Sequence, residues 1–171
     1  MNTDIEILKD NDISGFSEKM LEKRKSDLKQ ILDNSHRLEV VAEIDGVEYV
    51  NDAKSSDLES TAYALDLISK PIVWILESGE YVRTFADLDK LILDGVQSII
   101  VIGQNRSTTV EELMLLTDLV AEASNMEEAI SLAKEMAHKG SCVLYSPAMP
   151  NNNKFGNYLS RGEAFKTALG I

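Results

Sequence analysis

One segment of the chain, residues 71–103, reads PIVWILESGEYVRTFADLDKLILDGVQSIIVIG and contains a complete strand–helix–strand unit. It opens with the apolar run PIVWIL at 71–76 and closes with SIIVI at 98–102. Unbroken apolar runs of this length are typical of strands that are covered on both faces. Between the runs, a helix is predicted to begin near Thr84. Two buried strands joined by a helix predict a parallel pair.

The flanking segments extend this pattern in both directions. Towards the N-terminus, alternating apolar residues at 38–50 surround Asp45-Gly46, which is a strong signal for an antiparallel hairpin. Towards the C-terminus, CVLY at 142–145 predicts a last buried strand, and a final helix is predicted over roughly 154–169. The sequence therefore predicts an α/β fold: a Rossmann-like, mostly parallel sheet flanked by helices, with an N-terminal antiparallel hairpin. The three apolar runs should lie side by side at its centre.

Capping patterns predict two further helix starts. Thr108 with Glu111, and Ser124 with Glu127, have the spacing of a capping box, in which the first side chain accepts from the backbone of the fourth residue. A short strand is predicted between these helices, at about 119–121.

Composition narrows the classes of function. The 171 residues suit one domain, and 29 acidic against 17 basic residues give a net charge of −12. Nucleic-acid binding is not expected, because phosphate contacts need clustered lysine and arginine. The single cysteine, Cys142, excludes an internal disulfide and is expected to be a buried core thiol. The sequence has no run approaching the roughly 18 apolar residues of a membrane helix and no signal peptide, so we expect a cytoplasmic location.

Ligands of parallel α/β sheets bind beyond the carboxyl ends of the strands, so the turns at those ends are the candidate sites. Three turns qualify: NDAKSSD at 51–57, ESGEYVR at 77–83 and SPAMPNNN at 146–153. The first is open to two interpretations. It is a capped helix start with Ser56 or Asp57 as N-cap, or an anion site in which Lys54 assists the helix N-terminus. The chain has no phosphate-binding loop, so ATP hydrolysis by this chain alone is not expected.

Two segments resemble a known family. The C-terminal domain of the Mur ligases opens with an HR-x-E stretch, a hairpin and an N-D-S-K-[AS]-T-N motif, to which HRLEVVAEIDGVEYVNDAKSSD at 36–57 is similar. The family ends in SPACAS-x-x-x-F-x-N-[FY]-x-x-RG-x-x-F, which VLYSPAMPNNNKFGNYLSRGEAFK at 143–166 resembles, most closely in the D-glutamate-adding branch. The resemblance covers 35–171. It leaves 1–34 as an N-terminal segment with one predicted helix, at 16–32.

The resemblance implies a part in peptidoglycan precursor synthesis. Mur ligases are three-domain enzymes that use ATP and magnesium to phosphorylate a UDP-muramoyl carboxylate, and then couple an amino acid to it. The UDP-sugar-binding and ATPase domains are the implied partners, and this chain alone is expected to bind neither ATP nor magnesium. The resemblance places Arg37, Asp52 and Lys54 at the nucleotide, and Ser56, Tyr81, Asn151 and Tyr158 at the amino acid. It assigns no catalytic or metal-binding residue to this chain.

Two of these positions depart from the family pattern. The lysine that binds the D-glutamate side chain falls at Tyr81, and the serine that contacts the same amino acid falls at Asn151. Glu77 and Glu80 add negative charge to the turn that contains Tyr81. We therefore expect weak D-glutamate binding, unless Arg83 replaces the lost cation.

Two functional interpretations follow. In the first, the chain is the nucleotide- and amino-acid-contacting domain of a Mur-type ligase and is not catalytic alone. In the second, it is a non-catalytic paralogue that acts as a binding or regulatory module. The retained Arg37, Asp52 and Lys54 favour the first, whereas the altered turn at 77–81 and Asn151 favour the second.

Overall fold

A computed structural model describes residues 36–81, 83–151 and 156–171 of the chain. These residues form a six-stranded sheet of β1 (Glu39–Ile44), β2 (Val47–Asn51), β3 (Ile72–Ser78), β4 (Val96–Gly103), β5 (Val120–Glu122) and β6 (Cys142–Tyr145). The strand order is β1-β2-β6-β3-β4-β5; β1 is antiparallel to β2, and the other neighbouring pairs are parallel. The predicted α/β class and the central position of the three apolar runs are confirmed.

Helices cover both faces of the sheet. They are α1 (Leu58–Leu67), a 3-10 turn (Ala86–Leu88) that leads into α2 (Asp89–Gly95), α3 (Arg106–Leu113), α4 (Met126–Met136) and α5 (Tyr158–Leu169). One core joins α4 and α5 to Val73 and Val143, and a second joins α1, α2 and α3 to Trp74 and Leu144. Since successive strand side chains point to opposite faces and both faces are covered, residues 72–76 of β3 and all of β6 need apolar side chains at every position. This explains their unbroken apolar runs.

The hairpin is built by the predicted turn. Asp45 and Gly46 have φ values of 54° and 77°, and Ile44 pairs with Val47 across the turn. Two successive residues with positive φ define the turn type whose twist matches that of the flanking strands. The hairpin prediction is confirmed.

The predicted start of α3 is wrong. The helix begins at Arg106, with Asn105 as the N-cap residue in a left-handed conformation (φ 48°), so Thr108 and Glu111 lie inside it. The side chain of Asn105 does not cap the helix. Its amide donates instead to the carbonyl oxygens of Gly79 and Glu80, at 3.2 and 3.3 Å. A contact with another turn of the fold has taken precedence over the local capping pattern.

The predicted cap of α4 is displaced by one residue. Asn125, rather than Ser124, caps the helix by accepting from the backbone N–H of Glu128 at 2.8 Å. The Glu128 carboxylate accepts from the backbone N–H of Ser124, the residue before the cap, at 2.7 Å. The final helix, α5, is observed from Tyr158. The helix predicted at 16–32 lies outside the described residues.

The structure bears on two expectations from composition: the burial of Cys142 and the absence of a membrane-spanning helix. Cys142 is fully buried in β6, and burial raises the pKa of its thiol to about 12, as expected for a core cysteine. Within the described ranges, the structure contains no helix that is long and apolar enough to cross a membrane.

Candidate functional site

The turn that follows β2 is organised by a buried carboxylate. Asp52 is 2% exposed, and its Oδ1 accepts from the backbone of Leu38 at 3.2 Å. Its Oδ2 accepts from the hydroxyl of Ser146 at 2.9 Å and also from the hydroxyl of Ser55. Burial raises the pKa of Asp52, although these hydrogen bonds and the nearby Arg37 act in the opposite direction. Asp52 thus joins the β2 turn to the first residue beyond β6.

A second buried contact joins the same turn to α5. Asn51 Oδ1 accepts from the backbone of Ala53 at 3.2 Å, which assigns the other atom of the amide as Nδ2. Nδ2 lies 2.7 Å from His36 Nδ1 and 3.4 Å from the carbonyl oxygen of Gly162. Because Nδ2 is a donor, His36 Nδ1 must be the acceptor, and a neutral ring then carries its proton on Nε2. A Cβ at Gly162 would lie 2.1 Å from His36 Nδ1, so the close approach requires glycine here.

Arg161 connects the turns that follow β2 and β6. Its side chain is 1% exposed and donates from Nε to the carbonyl of Ala53 at 2.7 Å and from Nη2 to that of Ser55 at 3.1 Å. Nη1 donates to the carbonyl of Met149 at 3.0 Å. Two of these carbonyls flank Lys54, and the third lies two residues before Asn151. One guanidinium therefore ties the predicted nucleotide-contacting turn to the predicted amino-acid-contacting loop.

The other residues predicted at the first turn lie around this framework. Lys54 is half-buried, with its Nζ 5.2 Å from the centre of the Tyr158 ring, a distance typical of a cation–π contact. Arg37 is half-buried and Ser56 is exposed. Asp57, not Ser56, is the N-cap of α1, because its carboxylate accepts from the backbone of Ser60 at 2.7 Å. The capped-helix interpretation of this turn is confirmed, with Asp57 as the cap.

A cavity of about 520 Å³ lies at the carboxyl ends of the next strands. Its lining comes from residues 77–81, 102–104, 124–126 and 149–151, which end or follow β3, β4, β5 and β6 respectively. Tyr81 and Asn151 both belong to this lining, and Tyr81 is 83% exposed. The structure thus brings the predicted amino-acid-contacting positions Tyr81 and Asn151 to one cavity, and places Lys54 beside Tyr158.

Polar contacts hold the acidic turn of this cavity in place. Arg83 donates to the carbonyl oxygen of Glu77 at 2.6 Å and to that of Ala148, while its guanidinium lies 5.3 Å from the centre of the Phe85 ring. The Glu77 side chain is 1% exposed and accepts from the hydroxyl of Tyr145. Arg83 is therefore engaged with backbone carbonyls and is not among the residues that line the cavity.

Sequence reasoning missed the roles of Arg161, Asn51 and Ser146, although all three lie in the two motif segments. A signal for Arg161 was present. It falls at helical spacing between Tyr158 and Phe165, so the pattern places a cation on the inward face of α5. A cation on such a face needs buried acceptors. Among the described residues, no group of three or more histidine, cysteine, aspartate or glutamate side chains is arranged to hold a metal.

Comparison with known proteins agrees with this architecture. The sequence model of the family "Mur ligase, glutamate ligase domain" matches residues 36–149. The UDP-N-acetylmuramoylalanine–D-glutamate ligase of Porphyromonas gingivalis is 36% identical over 131 residues, covering 77% of this chain and 29% of that protein. The ligase of the same name from Cytophaga hutchinsonii is 32% identical over 142 residues, which are 83% of this chain and 32% of that protein.

A solved structure has the same fold. The crystal structure of the UDP-N-acetylmuramate–alanine ligase of Thermotoga maritima superimposes with a TM-score of 0.50 at 12% identity, over 79% of this chain and 30% of that one. The chain spans about a third or less of the length of these relatives. On the match to the family model and on identities of 32% and 36%, the chain belongs to the Mur ligase family, and it corresponds to the C-terminal domain of these proteins.

Proposed function

We propose that the chain is the C-terminal, nucleotide- and amino-acid-contacting domain of a Mur-type ATP-dependent amide ligase of peptidoglycan precursor synthesis. It acts in the cytoplasm and is not catalytic alone. One observation carries the proposal: Arg161 holds the turn around Lys54 and the loop before Asn151 together, although Ala53 and Arg161 are 108 residues apart. A domain that contacts two substrates at once needs these segments to keep a constant separation.

The residues of the first turn fit a nucleotide in two ways. Lys54 supplies a cation four residues before the start of α1, near a helix N-terminus, where anions are favoured, and Arg37 adds a second cation close to Asp52. Asp52 holds the turn through Leu38, Ser55 and Ser146, so its buried carboxylate would position Lys54. When bound, ATP supplies the phosphoryl group that activates the acid. The residues of this chain would orient the nucleotide and the incoming amine.

The second candidate function, a non-catalytic binding module, is favoured by the cavity. The family lysine position is occupied by the exposed Tyr81, and Arg83 is bound to two carbonyls instead of replacing it. A carboxylate ligand held by a charge-assisted hydrogen bond gains about 1.5–3 kcal/mol from it, and this chain has lost that contribution at position 81.

A fusion enzyme distinguishes the ligase function from the non-catalytic binding module. The full 171-residue chain is joined after the first two domains of the Porphyromonas gingivalis ligase, in place of the matched segment. Phosphate release that depends on the UDP-sugar acid and on an added amino acid supports the ligase function. Lys54→Ala should reduce this rate by at least about tenfold, whereas Lys134→Ala, an exposed lysine on α4, should leave it unchanged. A well-folded fusion that is inactive with every amino acid tested contradicts the ligase proposal and favours the binding module.

A further inference from the structure

The imidazole of His36 is a buried ionisable group to which the proposed function assigns no role. His36 is 3% exposed, and an added Cβ at Gly162 of α5 would come within 2.1 Å of its Nδ1. The ring of Tyr158 meets it edge-on, with the ring centres 6.2 Å apart. Histidine is the side chain that ordinarily changes its charge between about pH 5 and 8. The contacts of this ring therefore determine how the domain responds to a proton.

The amide of Asn51 favours a ring without a proton on Nδ1. Its Oδ1 accepts from the backbone N–H of Ala53 at 3.2 Å, and its Nδ2 donates to the carbonyl oxygen of Gly162 at 3.4 Å and to His36 Nδ1 at 2.7 Å. Turning the amide over to accept from a protonated Nδ1 would place its oxygen against the Gly162 carbonyl and its N–H groups against the N–H of Ala53. The three contacts together require the neutral ring, in which the proton lies on Nε2.

The carboxylates around the ring act in the opposite direction. Glu163 Oε1 lies 3.5 Å from Nε2, and Glu39 Oε2 lies 3.9 Å from Nδ1. Lys166 offsets part of this negative charge, since its Nζ is 3.0 Å from Glu39 Oε1 and 3.5 Å from Glu163 Oε1. In the segments that adjoin the ring, 36–39, 51–54 and α5, the remaining charged side chains are Arg37, Asp52, Lys54 and Arg161. Nearby carboxylates favour a charged imidazole, so the acids and the amide favour different protonation states.

The orientation of the Asn51 amide affects the turn that carries Lys54. The backbone N–H of Ala53 has Asn51 Oδ1 as its acceptor, and the backbone N–H of Lys54 donates to the carbonyl oxygen of His36 at 2.9 Å. A reversed amide withdraws the acceptor from Ala53, a buried residue whose N–H must then find another partner. The position of Lys54 therefore depends on the protonation state of the ring.

We propose that His36 is a positioning residue that acts through its protonation state. In the neutral state its Nδ1 accepts from Asn51 and holds the turn at 51–54. A second proton, taken up from solvent on Nδ1, breaks this hydrogen bond, turns the Asn51 amide over and releases the N–H of Ala53. If the chain acts in a ligase, the nucleotide contact of Lys54 then weakens as the pH falls, and that extension alone rests on the proposed function.

The test is a pH titration of the full-length, ¹⁵N-labelled chain, followed by NMR spectra that report the protonation of each histidine nitrogen. At about pH 8, His36 should be neutral with its proton on Nε2. Acidification to about pH 5 should protonate Nδ1, and the signals of the Asn51 side-chain amide and the Ala53 backbone amide should shift with the same midpoint. His138, the other histidine, is exposed, and its titration should leave both amides unchanged.

Three outcomes of this titration overturn the proposal. They are a proton on Nδ1 already at about pH 8, a ring that stays neutral down to about pH 5, and amide signals of Asn51 and Ala53 that do not follow the His36 ring. A histidine that only fills space would not produce the coupled shift. The titration needs neither nucleotide nor partner domains, so its outcome is independent of the fusion-enzyme assay.

A matched pair of variants isolates the amide. In Asn51→Asp a carboxylate replaces the donor and accepts from Nδ1–H, so the midpoint of the ring titration should rise by about one pH unit or more. Asn125→Asp makes the same change in charge at the N-cap of α4, where aspartate caps equally well, and should leave the His36 titration unchanged. Equal midpoints in the two variants would also contradict the proposal, and the titration of the unmodified chain decides it if Asn51→Asp does not fold.

Discussion

Arg161 and Asp52 show how single buried charges join distant parts of this domain. Arg161 donates three hydrogen bonds to backbone carbonyls, and the Asp52 carboxylate accepts three, two of them from serine hydroxyls. A buried charge is costly unless it is satisfied in this way. Replacing either side chain should therefore change the free energy of unfolding more than replacing a surface charge does.

Replacing Arg161 tests the first of these contacts. Arg161→Met should lower the free energy of unfolding by about 3 kcal/mol, because it leaves the carbonyls of Ala53, Ser55 and Met149 without their donor. Arg161→Lys should recover part of the loss, since an ammonium can reach some but not all of these oxygens. Urea unfolding measures both variants, with Lys90→Met, at an exposed lysine of α2, as the control. A value for Arg161→Met within about 0.5 kcal/mol of the unmodified chain would contradict the bridging role.

Asp52 gives a prediction about pH. Burial raises its pKa in the folded chain above the ordinary value of about 3.9, so the folded state binds this proton more tightly than the unfolded state. The resulting stabilisation is fully present below pH ~4 and is lost as the pH rises through the folded pKa. The stability of the unmodified chain relative to Asp52→Asn should therefore fall as the pH rises from ~4 to ~7. Unfolding of both proteins across this range measures the difference, and the opposite slope would show that the hydrogen bonds outweigh burial.

At the scale of elements, the cavity depends on how closely the ends of β3 and β4 approach each other. Gly103, the last residue of β4, has a φ of 102°, and an added Cβ would lie 2.3 Å from the carbonyl oxygen of Ser78. The same Ser78 carbonyl accepts from the backbone of Gln104 at 3.1 Å. The two strand ends can meet in this way only because position 103 has no side chain.

Two glycine replacements test this packing. Gly103→Ala should cost about 2–3 kcal/mol of stability and disturb the cavity, because the backbone is strained and a backbone atom blocks the methyl group. Gly95→Ala, at the end of α2, has no atom within 4 Å of the new Cβ. It should be neutral, or stabilising by up to about 1 kcal/mol through reduced freedom of the unfolded chain. Thermal unfolding compares them, and equal effects of the two changes would refute the steric argument.

At the scale of the whole molecule, the chain holds only part of what a ligase needs. It spans 29% of the Porphyromonas gingivalis relative and contains no phosphate-binding loop. The nucleotide- and amine-contacting residues proposed above lie at the strand ends, but the sequence has no motif for a loop of backbone amides that surrounds the β- and γ-phosphates. If the chain acts in a ligase, as proposed, the catalytic cycle requires the partner domains.

The purified chain should accordingly release no phosphate from ATP when UDP-muramoyl-L-alanine and D-glutamate are supplied. A coupled phosphate assay on the chain, with Lys54→Ala prepared in parallel, decides this. Activity that is present in the unmodified chain and lost in Lys54→Ala would show that this domain acts on ATP by itself. Activity equal in both preparations identifies a contaminant.

The sequence by itself determined the architecture, because the signals for it are local. Unbroken apolar runs identified β3, β4 and β6, and Asp45-Gly46 identified the hairpin, since side-chain periodicity and turn conformation depend on near neighbours. The motif segments also pointed to the two strand-end turns that lie around Lys54 and before Asn151. The carbonyl of Ala53 and the guanidinium that binds it, in contrast, are 108 residues apart, and no local pattern pairs them.

Only the tertiary structure decided which polar groups form hydrogen bonds with each other. The side chain of Asn105 does not cap α3 but donates to the carbonyl oxygens of Gly79 and Glu80. Arg83 donates to the carbonyl oxygens of Glu77 and Ala148 instead of binding a ligand. The physical reason is that the backbone carbonyls at the strand ends accept from whichever side-chain donor the fold brings within reach, and that choice depends on the packing of all the strand ends together.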